Sequence, residues 1–124
     1  MSTPDLHTHV KTLKTRMERA WPSIRKGGSD EQRQLLGAMY DSLTLAERLY
    51  IFPPTDPQQN WDQWRHDVIR PLSLCINSAE LLLTDEDPPL TDEQRHDIQA
   101  VFDQAIALSR TIDNLYAQRA TYMR

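Results

Sequence analysis

Punctuation constrains this chain more than any other feature. Thr3-Pro4, Gly27-Gly28, Pro53-Pro54-Thr55-Asp56-Pro57 and Pro88-Pro89 cut its 124 residues into four segments of helical length. Proline lacks an amide and crowds the preceding turn, so it starts helices and interrupts them. Glycine is favoured just past a helix end. Two cuts are followed by a capping box, Ser29-Asp30-Glu31-Gln32 and Thr91-Asp92-Glu93-Gln94. In that motif a hydroxyl and an amide side chain satisfy orphan backbone amides of the first turn. Helix one is expected from the Thr3 cap to about Arg25, with Trp21-Pro22 kinking or shortening it. Helix two should run from the Ser29 box to about Tyr50. Helix three should be capped by Asp56, with Pro57 first, and reach about Leu83. Helix four should run from the Thr91 box nearly to the C-terminus.

Only three glycines and few β-branched runs argue against a sheet. The expected fold class is therefore all-α: antiparallel helical hairpins, four helices per chain. The proline-rich break divides the chain into an N-terminal hairpin, residues 1–55, and a second hairpin, residues 56–124. A chain of this length makes one compact domain or two small helical units sharing a core. Its 39% hydrophobic content is lean, and lean amphipathic hairpins often complete a core by dimerising, so a dimeric bundle is expected. Whether the first hairpin extends such a bundle or folds back on the second is open at this point.

A net charge of −4 argues against nucleic acid as a partner. The charge is uneven, with Lys11, Lys14, Arg16, Arg19, Arg25 and Lys26 on helix one; this reads as a solvated face. The single Cys75 excludes an internal disulfide and fits a reducing cytoplasm. It falls on an apolar stripe, as a small core residue rather than a nucleophile. No apolar N-terminal core marks a signal peptide and no run reaches membrane-spanning length. His7 and His9 lack the spacing of a helical metal pair, and the acidic loop at residues 84–89 lacks calcium-loop ligands. No metal site is expected. Tyr50-Ile51-Phe52-Pro53-Pro54 reads as an aromatic-packed hinge.

On helix three the apolar positions are Trp61, Trp64, Val68, Leu72, Cys75, Ala79 and Leu82, spaced mostly by three and four. At about 100° per residue, His66 lies nearly opposite that stripe and should face solvent. Five residues later Pro71 interrupts an otherwise helical run. Such a proline costs roughly 3 kcal/mol and frees the carbonyl one turn back, that of Asp67. A kinked continuous helix is the better reading, because Arg70 would be a poor N-cap for a new one. A locally costly break beside an ionisable pair suggests a site. His-Asp alone is not diagnostic: Arg95-His96-Asp97-Ile98 repeats the tetrapeptide without the proline.

The run Arg65-His66-Asp67, then Pro71-Leu72, then Ser78-Ala79-Glu80-Leu81-Leu82-Leu83, a short loop, and a second helix ending Leu108-Ser109-Arg110-Thr111-Ile112-Asp113-Asn114-Leu115 carries a resemblance. Residues of about 61–118 resemble the dimerisation and phosphoacceptor domain of sensor histidine kinases. The family pattern is His, an acid, two variable or basic positions, a polar residue, then Pro-Leu. The resemblance implies that His66 accepts a phosphoryl group, that Asp67 orients or deprotonates its imidazole, and that Arg70 and Pro71 complete the motif. Ile69 stands where the family usually has a basic residue or Asn. Arg70 stands where Thr or Asn often assists dephosphorylation of a partner, so the likeness does not extend to phosphatase activity. No Asn-rich or Gly-rich ATP-binding box occurs within the 124 residues. The implied role is a phosphotransfer module, or a kinase core lacking its ATP-binding domain.

The partners implied are a second copy of the chain and a response-regulator receiver domain or a histidine kinase. No cofactor is expected in this chain; Mg²⁺ would come with the receiver domain. Arg65 and Arg70, adjacent to and one turn from His66, are candidates to offset phosphate charge. The alternatives are a non-catalytic helical adaptor or inhibitor that binds a receiver domain or kinase, and a plain dimeric bundle without signalling chemistry.

Overall fold

The computed structural model describes residues 6–49, 60–85 and 89–118, apart from the side chains of His7 and Leu49. The Thr3-Pro4 start, the hinge at residues 50–54, the boundary at residue 55 and residues 86–88 of the acidic loop lie outside the described residues. The fold is all-α. The described residues form four helices in order: α1 Leu6–Gly27, α2 Asp30–Leu49, α3 Trp61–Thr84 and α4 Asp92–Ala117.

Both capping boxes form. Ser29 Oγ accepts from the Gln32 amide at 3.1 Å and Gln32 Oε1 accepts from the Ser29 amide at 3.0 Å. Thr91 and Gln94 repeat this at the start of α4. Gly28 is required in the tight turn between α1 and α2, because a Cβ there would lie 2.7 Å from the Ile24 carbonyl oxygen. α3 departs from expectation at its start. Asn60, not Asp56, is its N-cap, accepting from the Gln63 amide at 3.0 Å. The helix thus begins at Trp61, on the first apolar residue of its buried stripe.

Neither internal proline ends its helix. α1 continues through Pro22 to Gly27, so it is not shortened. α3 is continuous through Pro71. In each case the packed stripe on both sides outweighs the one lost backbone bond.

One buried apolar stripe on each helix explains the architecture. The stripes comprise Leu6, Val10, Leu13, Met17, Ala20 and Ile24 on α1, and Leu36, Met39, Leu43 and Ala46 on α2. They continue with Val68, Leu72, Cys75, Ala79 and Leu82 on α3, and Ile98, Val101, Ala105, Leu108, Ile112 and Leu115 on α4. Spacings of three and four alternate throughout, averaging 3.5, the repeat of helices that pack side by side in a bundle. Each helix packs against its neighbours in sequence, and α1 closes the ring against α4. The two hairpins share one core. Leu45 on α2 is 47% exposed; it lies off the 36-39-43-46 stripe. No described helix is long and apolar enough to cross a membrane.

Candidate functional site

Register places the candidate site on the outer face of α3. Val68 and Leu72 are fully buried, so His66 is turned outward and exposed. Among the described residues it makes no side-chain hydrogen bond. Arg70, one turn on, is exposed as well and makes no ion pair there. Positions four apart share a helix face, so these two side chains address the same volume of solvent. Leu74 and Leu81 continue that face and are 52% and 55% exposed, two of the few large apolar side chains on the surface.

Asp67 sits a quarter turn away and is half-buried. Its Oδ1 accepts from Gln63 Nε2 at 2.8 Å. The carboxylate is held by its own helix and is not bonded to His66. Pro71 is buried, so its ring faces inward while His66 and Arg70 face out. Its missing amide leaves the Asp67 carbonyl without the usual intrahelical donor. The structure therefore brings His66 and Arg70 together, puts Asp67 on the flank and Pro71 beneath.

Arg65 pairs across the α3–α4 hairpin. Its Nε donates to Asp113 Oδ1 at 2.8 Å, and its Nη2 lies 2.7 Å from the same oxygen. The guanidinium carbon is 5.5 Å from the centre of the Tyr116 ring, and the Tyr116 hydroxyl donates to Asp62 Oδ1. These four residues clamp the start of α3 to the end of α4. Arg65 is committed to that clamp, which leaves Arg70 as the cation beside His66. The clamp was missed from sequence, although a signal exists: 65 with 113 and 62 with 116 are both symmetric about position 89, the turn of the α3–α4 hairpin. The contact of Arg95 Nη1 with the Leu83 carbonyl, at 3.0 Å, has the same centre.

Trp61 and Trp64 pack edge to face, 5.4 Å between ring centres at 75°, and Trp61 belongs to the core. Cys75 is buried, and desolvation pushes its thiol up to about 12. It stays protonated at neutral pH and is no nucleophile. Among the described residues no three His, Cys, Asp or Glu side chains gather as metal ligands.

The fold and face define an all-α four-helix bundle bearing an exposed histidine–arginine pair. No protein-family model matches the chain, and no characterised protein or solved structure is significantly similar to it.

Proposed function

We propose that this chain is a histidine phosphotransfer module of two-component signalling in the cytoplasm, accepting a phosphoryl group on His66 and exchanging it with an aspartate of a receiver domain. The observation that carries this reading is the shared exposure of His66 and Arg70 one turn apart, with Leu74 and Leu81 along the same face. A neutral imidazole has a nitrogen lone pair near pH 7. That nitrogen attacks phosphorus, a P–N bond forms, and the acyl phosphate P–O bond of the receiver breaks to release its carboxylate. The reverse step regenerates imidazole. Most of the catalysis is positioning and charge neutralisation; Arg70 supplies one cation, and Mg²⁺ comes with the receiver domain. Asp67 acts on the imidazole only after exchanging Gln63 for His66. Leu74 and Leu81 give a partner apolar surface to cover. Four helices from one chain already close a core, so the homodimer that the resemblance implies would be built on outer faces.

The test is transfer from receiver domains of the same cells, charged with acetyl phosphate. Acid-labile label on the wild type and none on a folded His66→Gln variant is expected; equal labelling of both would sink the proposal. A second reading, a non-catalytic adaptor for a receiver domain or kinase, is favoured by the engagement of Asp67 with Gln63. It predicts partner affinity that His66→Gln leaves unchanged, with no label on either protein.

A further inference from the structure

A cleft of about 420 Å³ opens between α1 and α2, away from α3. Met17 and Leu36, both buried, form its apolar floor. Trp21, 36% exposed, and Tyr40 supply aromatic walls, and Glu18 and Asp41 line the rim. The residues lining the cleft carry two carboxylates and no Lys or Arg. One neighbouring cation, Lys14, is neutralised by Glu47 at 2.7 Å. Glu18 accepts from the Tyr40 hydroxyl at 3.1 Å, and Asp41 has no hydrogen bond or ion pair among the described residues. Pro22 also removes the amide that would bond the Glu18 carbonyl.

Gly37 lines the same cleft, and a Cβ there would meet nothing within 4 Å. Glycine in a helix interior costs about 1 kcal/mol relative to alanine. Unlike Gly28, Gly37 is not needed for a close approach. What it provides is open space.

We propose that the α1–α2 cleft binds a small organic cation with an apolar body, such as a quaternary ammonium compound. Aromatic faces beside carboxylates are the chemistry that recognises such ions. The groove already shows the match within the chain: the Lys14 ammonium lies 5.2 Å from the centre of the Tyr40 ring. That face of Tyr40 is occupied, so the exposed Trp21 indole receives the ligand, with Glu18 and Asp41 balancing its charge. The site is independent of the reading of His66.

The experiment is an NMR titration of the full chain with choline and with its neutral isostere 3,3-dimethylbutan-1-ol, read at the indole N–H of Trp21. A saturable shift at Trp21 with choline is expected, with binding at least about fivefold weaker for the neutral isostere. Asp41→Asn should weaken choline binding by about fivefold. Gly37→Leu projects a side chain into the cleft from a position where a Cβ meets nothing within 4 Å, and it should abolish the shift while the remaining spectrum stays folded. Three outcomes would each overturn the proposal: no saturable shift, equal binding of the isostere, or unchanged choline binding by Gly37→Leu.

Discussion

The chain carries the same tetrapeptide pattern twice, Arg65-His66-Asp67-Val68 on α3 and Arg95-His96-Asp97-Ile98 on α4. Both copies sit in one register. Val68 and Ile98 are fully buried, and His66 and His96 are exposed. The surroundings differ. Arg65 is held by Asp113 and Tyr116 across the hairpin; among the described residues Arg95 reaches only the Leu83 carbonyl. Asp67 is half-buried and bonded to Gln63, whereas Asp97 is only 6% exposed. Four residues after His66 comes an arginine with no ion pair among the described residues, and then a buried proline; after His96 come Ala100 and Val101. An exposed histidine is therefore a consequence of register, available at either copy. What distinguishes His66 is the clamped helix start before it and the Arg70, Pro71, Leu74 face after it.

Removing the buried residue of each copy tests whether Val68 and Ile98 set the register of both histidines. Ile98→Ala should cost about 2–5 kcal/mol and Val68→Ala somewhat less, measured by urea unfolding. Losses under 0.5 kcal/mol at both would mean that these residues do not set the register. Pro71→Ala sharpens the difference between the copies. It restores an amide to the Asp67 carbonyl and gives up the packing of a buried ring. The expected net is a gain on the order of 1–2 kcal/mol, seen as a higher Tm, with weaker phosphate uptake. A lower Tm would show that ring packing, rather than function, explains the proline.

The arginines should differ more modestly. Arg65→Ala should cost about 1 kcal/mol, summing a half-exposed ion pair and a cation–aromatic contact. Arg95→Ala should cost less. A double-mutant cycle of Arg65 and Asp113 should show coupling of roughly 0.2–1 kcal/mol, and zero coupling would remove the clamp from the account. Smallest of all, His66→Gln and His96→Gln should each change stability by under about 0.5 kcal/mol, since both side chains are exposed.

Much of this fold was legible because its signals are local. The Ser29 and Thr91 boxes act over three residues, and the buried stripes repeat every three or four. The outward direction of His66 followed from Val68 and Leu72. What escaped depends on pairings across the bundle. Identical amphipathic stripes can be closed by another chain or by the same one, so sequence left open the packing of α1 and α2 onto α3 and α4. The Arg65–Asp113 pair spans 48 residues and becomes visible only once the hairpin turn fixes its register. The Asn60 cap was masked by a more conspicuous Asp-Pro four residues earlier. The α1–α2 cleft had no sequence signature, because it is lined by Trp21 and Gly37 from two different helices.

The most direct measurement is mass spectrometry of the protein isolated from its own cells under mildly alkaline conditions, searching for phosphohistidine. Acid-labile phosphate is expected on His66, none on His96, and the label should be lost in His66→Gln. Unmodified His66 across several growth conditions, or equal labelling of His66 and His96, would contradict the proposed role of His66.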